Sequence, residues 1–468
     1  MVASGDQQRG RHPPFRGIIP ALTLALAVIW LPAGLAACQG AQESHPAAEN
    51  NNSWEEDRAS VDRITYVNSA GDIYTIKADG SEPHRLTGGT LVQQGSTGRF
   101  MAQGMDFDSA YAWPTWSPDG TSLAASRVRL VGSQDAELTI EVLDSVTGRS
   151  RTVFSNDFPG LVAEGSPHYL YWSPDSKALS FLASTPEGLG LFIVNTQSAA
   201  APILLERGAP LYYSWAGDGG SLVAHIGEEV KLYREVSDHA GGEVLARAQR
   251  FRAPAFSPDS KRVAYSGPSG SGEALLVAEV NRLGDARQVL ELGAFSAFSW
   301  SPNGRELAVA DQEDPRSPVF ERLRVVSLDE SQTGSPVRTI AQHPLLSFYW
   351  SPNGERLAWV AVNREDRTFQ WRVAPSTSTG ADQGRALFTF NPSRDFLTML
   401  SYFDQYAYSH TPWSPDSTRL VVAGGQVAHF ERRNGDTPTG SRVYVIDAVG
   451  DTPAREIAEG SLAFWSWN

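Results

Sequence analysis

The chain has 468 residues, 41% of them hydrophobic, with 39 Lys or Arg against 53 Asp or Glu and a formal charge of −14. That length excludes one small domain, the apolar content excludes a mostly disordered chain, and the acidic balance excludes the clustered basic face of a phosphate-backbone binder. The 42 Gly, 29 Pro and 13 Trp predict many turns and short strands, and the one Cys excludes a disulfide framework or a multi-thiolate zinc site.

The chain opens on an address. Arg9, Arg11 and Arg16 precede an apolar run, 17–37, that ends in Leu35-Ala36-Ala37-Cys38. A basic region, an apolar region and small residues before a cut describe a secretory signal. With Cys38 at its end, the segment resembles a bacterial lipoprotein signal peptide. The resemblance implies a signal over 1–37, cleavage before Cys38, and acyl chains on its sulfur and new amino group. The mature chain is then expected outside the cytoplasm, tethered to the outer face of the cell membrane or to an outer membrane; two or three acyl chains suffice for stable anchoring. Residues 38–61 are rich in Gln, Asn, Glu, Pro and Ser, with Trp54 almost alone among them as a large apolar residue. Such a composition cannot bury enough surface to order itself, so this stretch is read as a tether.

From residue 62 to 468 the sequence is one repeat. Trp116-Ser117-Pro118-Asp119-Gly120 recurs as Trp172-Ser173-Pro174-Asp175-Ser176, and a worn copy reads Trp215-Ala216-Gly217-Asp218-Gly219. Further copies begin at Phe256, Trp300, Trp350 and Trp413. The aromatic positions are 56, 43, 41, 44, 50 and 63 residues apart, the period of a four-stranded propeller blade with loop insertions in the longer copies. In each turn Pro presets φ and Asp or Asn can close the turn with its own side chain. Each copy continues into three more short strands, so the unit is a meander.

The two ends complement each other. Residues 64–67, 73–76 and 85–87 read as the second, third and fourth strands of a blade that lacks its first. The tail from Leu462 to Asn468 reads as a first strand that lacks its blade, with Trp467 keeping the period at 54 residues after Trp413. The expected fold is an all-β, eight-bladed propeller closed by pairing of the N- and C-terminal strands in one blade, which removes long exposed edges.

The Trp-Ser-Pro-Asp-Gly signature followed by an alternating strand resembles the WD40-like (PD40) propeller repeats of the TolB family, over roughly residues 62–468. TolB-family proteins carry a separate α/β domain before a six-bladed propeller and are not lipid-anchored. The short tether does not supply that domain, so the resemblance implies a PD40-repeat lipoprotein distinct from TolB.

Catalytic motifs are few. Gly267-Pro268-Ser269-Gly270-Ser271-Gly272 only approaches a nucleophile elbow and reads as a hairpin turn. The recurring Asp of the turns serves every blade and is read as structural. His168, His343 and His410 each precede a blade aromatic at one channel mouth, where imidazoles can ligate a metal; by blade count, however, they are too dispersed for one ion. No cofactor is expected.

Two insertions stand out. The first, 88–113, holds Phe107, Tyr111 and Trp113; the second, 391–411, holds Phe403, Tyr406 and Tyr408. Every Met except the initiator lies in these two stretches. Met and aromatic side chains suit adaptable contact surfaces. The expected function is therefore non-catalytic: an envelope scaffold that binds a protein, peptide or glycan through these six aromatics, with no nucleic-acid partner. The alternative is an enzyme at the channel mouth, a metal-assisted lyase or a hydrolase acting on saccharide or peptide. The two loops can also act simply as a lid packed over the channel.

Overall fold

The computed structural model describes residues 62–88, 101–102, 105–106, 109–131, 135–156, 168–198, 200–236, 241–248, 250–270, 272–312, 314, 316–329, 336–379, 384–427 and 440–467. Residues 1–37, read above as a signal, Cys38, residues 38–61, read as a tether, and Phe107 lie outside the described residues.

The turns build the fold. In the first, Ser117 Oγ donates to Asp119 (2.6 Å) and accepts from the Ser122 amide (3.0 Å), while the Ser117 N–H donates to the Ser122 carbonyl (2.9 Å). Gly120 closes the turn at φ 69°, a left-handed conformation that glycine adopts without penalty. The same three contacts recur at Ser173, Ser257, Ser301 and Ser351. The worn copy keeps the backbone bond from Ala216 N–H to Ser221 O (2.9 Å), and Asp218 takes over by accepting from the Gly220 and Ser221 amides (2.8 and 2.9 Å).

Each turn leads into an antiparallel four-strand meander. One sheet runs Ser109–Trp116, Ser122–Val131, Asp135–Asp144, Ser150–Ser155; the next runs His168–Trp172, Ala178–Thr185, Gly188–Asn195, Ile203–Arg207. Two more begin at Leu211–Trp215 and Ala255–Phe256. The remaining units, from Ser296–Trp300 to Arg455–Glu459, join edge to edge as a ten-stranded sheet that contains three of the turns. One join is the 14-residue strand Val337–Trp350, which pairs with Phe320–Ser327 along its first part and Arg356–Asn363 along its second. The other is at Gly424, where a Cβ would come within 2.3 Å of the Asn391 carbonyl.

At three of the turns the tryptophan indole N–H staples neighbouring units. Trp172 Nε1 donates to Thr115 O (3.1 Å), Trp300 Nε1 to Ala255 O (3.1 Å) and Trp413 Nε1 to Tyr349 O (3.3 Å), in each case the residue before the preceding unit's aromatic.

The chain ends meet as expected. Ile64–Val67 pairs on one side with Ile73–Ile76 and on the other with Leu462–Trp465, with Ile64 opposite Trp465, and His84–Arg85 forms the outer strand. Ser466 N–H donates to Arg63 O (2.9 Å) and Ser466 Oγ accepts from the Arg63 amide (3.1 Å), the same two contacts that Ser117 makes with Ser122. The closing sheet thus carries the repeat's Trp-Ser corner divided between the two termini. The aromatic in the repeat position is Trp465, fully buried, and not Trp467 as the spacing suggested. The molecule is a closed all-β propeller.

Candidate functional site

The second insertion is not an irregular loop. It forms helix α1, Arg394–Ser401, and a single helical turn α2, Phe403–Tyr406. Ser393 caps α1 by accepting from the Phe396 amide (3.1 Å) and donates its hydroxyl to Ser461 O; Ser461 Oγ returns a bond to Asp395 (2.7 Å). The helix is thereby fixed to the residue that leads into the closing strand. Phe396, Met399, Leu400 and Phe403 stand at i, i+3, i+4 and i+7, and all four are buried.

Consecutive residues of α2 dock on different sheets, so the turn acts as an axle. Phe403 packs on Phe348 (4.8 Å between ring centroids), Phe320 (6.0 Å) and Tyr349 (6.0 Å). Asp404 accepts a hydrogen bond from the Ala253 amide. Gln405 O accepts from Tyr169 Oη (2.8 Å). Tyr406 stacks on Trp113 (5.0 Å, 17°) and meets Tyr169 edge-on (5.4 Å). Trp113 and Tyr169 hold φ values of 52° and 51°, left-handed for non-glycine residues, and each lies where the register of its strand shifts. Such strain persists only where packing compensates for it, and here both rings meet Tyr406.

This corrects the contact-surface expectation for three residues. Phe403 (1% exposed), Tyr406 (5%) and Tyr111 (8%) are interior side chains and cannot meet a partner directly. Tyr111 donates to Glu141 (3.0 Å) beneath the Arg127 guanidinium, which itself pairs with Glu141 (2.7 Å). Trp113 and Tyr408 retain partial exposure. Of the first insertion, the described part includes a short ladder, Met101–Ala102 with Met105–Asp106.

The three histidines do not converge. His168 pairs with Leu182 within its own sheet. His343 accepts from Trp359 Nε1 (3.1 Å), and burial lowers its pKa. His410 bonds Ser409 Oγ (2.7 Å) and packs on Phe464 (4.6 Å); burial pushes its pKa down to about 3, so it is neutral. Among the described residues no three His, Cys, Asp or Glu are grouped to hold a metal ion.

The residue that the sequence reading missed is Asp404. Burial pushes its carboxyl from the ordinary 3.8 up to about 6, against the opposing pull of the Gln405, Asp404 and Ala253 amides. None of the described Lys or Arg side chains pairs with it. The folded chain therefore holds a proton that the unfolded chain releases, a contribution complete below about pH 4 and lost as pH rises through 6. Asp404→Asn keeps an acceptor for the Ala253 amide and removes the charge. It is expected to raise unfolding free energy by about 2 kcal/mol at pH 8 and leave it unchanged at pH 4, read by urea titration at both pH values.

Fold and site together define a β-propeller with a helical plug. No protein-family model matches the chain, and no curated protein matches it. Among solved structures it is similar to the dihydro-heme d1 dehydrogenase NirN in complex with DHE, at TM-score 0.52 and 15% identity, covering 88% of this chain and 77% of that one. It is also similar to TolB from Acinetobacter baumannii (TM-score 0.33, 21% identity, 59% of this chain and 65% of that one). The chain thus spans just under two thirds of that TolB. A third is the Cps50 (Swd1) β-propeller domain of Myceliophteria thermophila, at TM-score 0.39 and 14% identity, with 65% and 88% covered.

Proposed function

We propose that this protein is a lipid-anchored envelope scaffold: a PD40-type propeller of eight blades, held by acylated Cys38 on a tether and binding an envelope protein, peptide or glycan without catalysis. The eight-blade reading takes the ten-stranded sheet as three blades, one for each of its turns, beside five four-stranded sheets. The observation that carries the binding reading is the plug. With α2 bound to several inner strands, the ring is a rigid disc, and both insertions arise at its mouth face. Phe295 supports the assignment of that face: it is 44% exposed and stacks on Phe320 (4.4 Å), which in turn meets Phe403 of the axle.

Cys38→Ser is expected to move the protein from the membrane pellet to the soluble fraction, and retention in the pellet would end the anchor reading. Capture with the lipidated chain, read by mass spectrometry against a Phe295→Ser variant, tests the face. A partner recovered equally by both chains sinks the assignment.

A further inference from the structure

We propose that the mouth-face connection between the sheets beginning at Leu211–Trp215 and Ala255–Phe256 is an acid-released latch, locked while His225 is neutral and freed when His225 takes up a proton. The latch does not depend on the scaffold reading.

Residues 250–253 of this connection are gripped by side chains from neighbouring strands. His225 stands in the strand Leu222–Ile226, directly opposite Tyr212, and is fully buried. Its Nδ1 lies 2.9 Å from Arg252 O, and its ring packs on Phe251 (4.8 Å), which in turn meets Tyr212 (4.5 Å). Glu273, from the strand Gly272–Glu279, accepts from the Arg250 amide (2.9 Å) and from the Arg252 guanidinium (2.5 Å). Arg252 reaches on to Gly293 O (2.7 Å), two residues before the exposed Phe295. One latch thus holds two aromatic-bearing segments of the mouth.

The neutral imidazole fits this place and the charged one does not. With Nδ1–H donating to Arg252 O, Nε2 is left as a lone pair, and it is buried without a hydrogen-bond partner among the described residues. A proton added at Nε2 therefore has no acceptor, and the new charge lies beside the buried Arg252. The groups that face it are few. Arg252 opposes the charge and Glu273 favours it, while Arg250 acts on Arg252. Tyr212 is kept protonated by burial, and Val230, the other cross-strand neighbour, carries no charge. Burial, reinforced by the Arg252 charge, lowers the pKa of His225. A released ring titrates at the ordinary 6.5, so the open form binds more protons. Opening is thus independent of pH above 6.5 and rises below it, by at most about tenfold per pH unit. Asp404, which accepts from the Ala253 amide, works the other way, because its proton is held by the folded chain.

Amide exchange of the full chain carrying Cys38→Ser, corrected for intrinsic rate and read by mass spectrometry, tests the latch. Protection over residues 250–256 is expected to fall at least about threefold from pH 7.5 to 5.5, while Leu357–Val360 in a distant unit keeps its protection. His225→Asn preserves a donor for Arg252 O and cannot titrate, so its protection is expected to stay level. Exchange of the imidazole C2 hydrogen titrates His225 in the parent chain directly, with a midpoint expected below 6.5. The proposal is overturned if protection over 250–256 does not change with pH or falls equally at the reference strand. It is also overturned if a folded His225→Asn chain keeps the parent's pH dependence, or if His225 titrates at 6.5 or above.

Discussion

Removal of residues 462–468 is expected to abolish the cooperative thermal transition of the whole ring. Leu462, Ala463, Phe464 and Trp465 are each at most 1% exposed, and they complete the sheet that the N-terminal strand begins. Truncating one large buried side chain costs about 2–5 kcal/mol, and a domain's total stability is roughly 5–15 kcal/mol. Loss of three such side chains together consumes most of that margin. It also opens the edge of Ile64–Val67, so the truncated chain is expected to aggregate. Calorimetry decides this: a single transition at the parent temperature would mean that the ring stands without its clasp. Ser466→Ala provides a graded control. It removes the acceptor for the Arg63 amide as Ser173→Ala removes that for Ala178, so each is expected to cost about 1–2 kcal/mol.

The second large effect is expected at the axle. Phe403→Ala should cost about 3–5 kcal/mol, because it empties the space between Phe348, Phe320 and Tyr349. Tyr406→Ala should cost a similar amount. It removes the ring that faces Trp113 and Tyr169 and leaves both strained residues without compensation. Urea unfolding measures both. A loss under about 0.5 kcal/mol is what exposed contact residues give, and would return these side chains to the surface.

Much of the fold was legible from the repeated turns. Ser, Pro, Asp and Gly at fixed offsets satisfy one another within five residues, so each turn is specified by its own sequence. The pairing of the termini was legible because each end was visibly incomplete. The closing aromatic was read two residues late, at Trp467 instead of Trp465, because spacing is a looser guide than the Ser466–Arg63 corner. The helix in the second insertion was missed although Phe396, Met399, Leu400 and Phe403 carry a helical period and Ser393 can cap it. Eight residues of periodicity are too few to stand out against a chain of strands.

What the amino-acid order determined by itself was the turns, the alternating strands and, because each end was an incomplete blade, the pairing of the two ends. What only tertiary structure decided was where the aromatic insertion goes. A run of Phe, Met and Tyr has the same composition whether it faces a partner or the interior. Its direction depends on Phe320, Phe348 and Tyr169, brought from separate strands, meeting its rings. The same enclosure gives Asp404 its character, since a carboxylate in sequence is ordinary and has its pKa raised only where remote segments bury it.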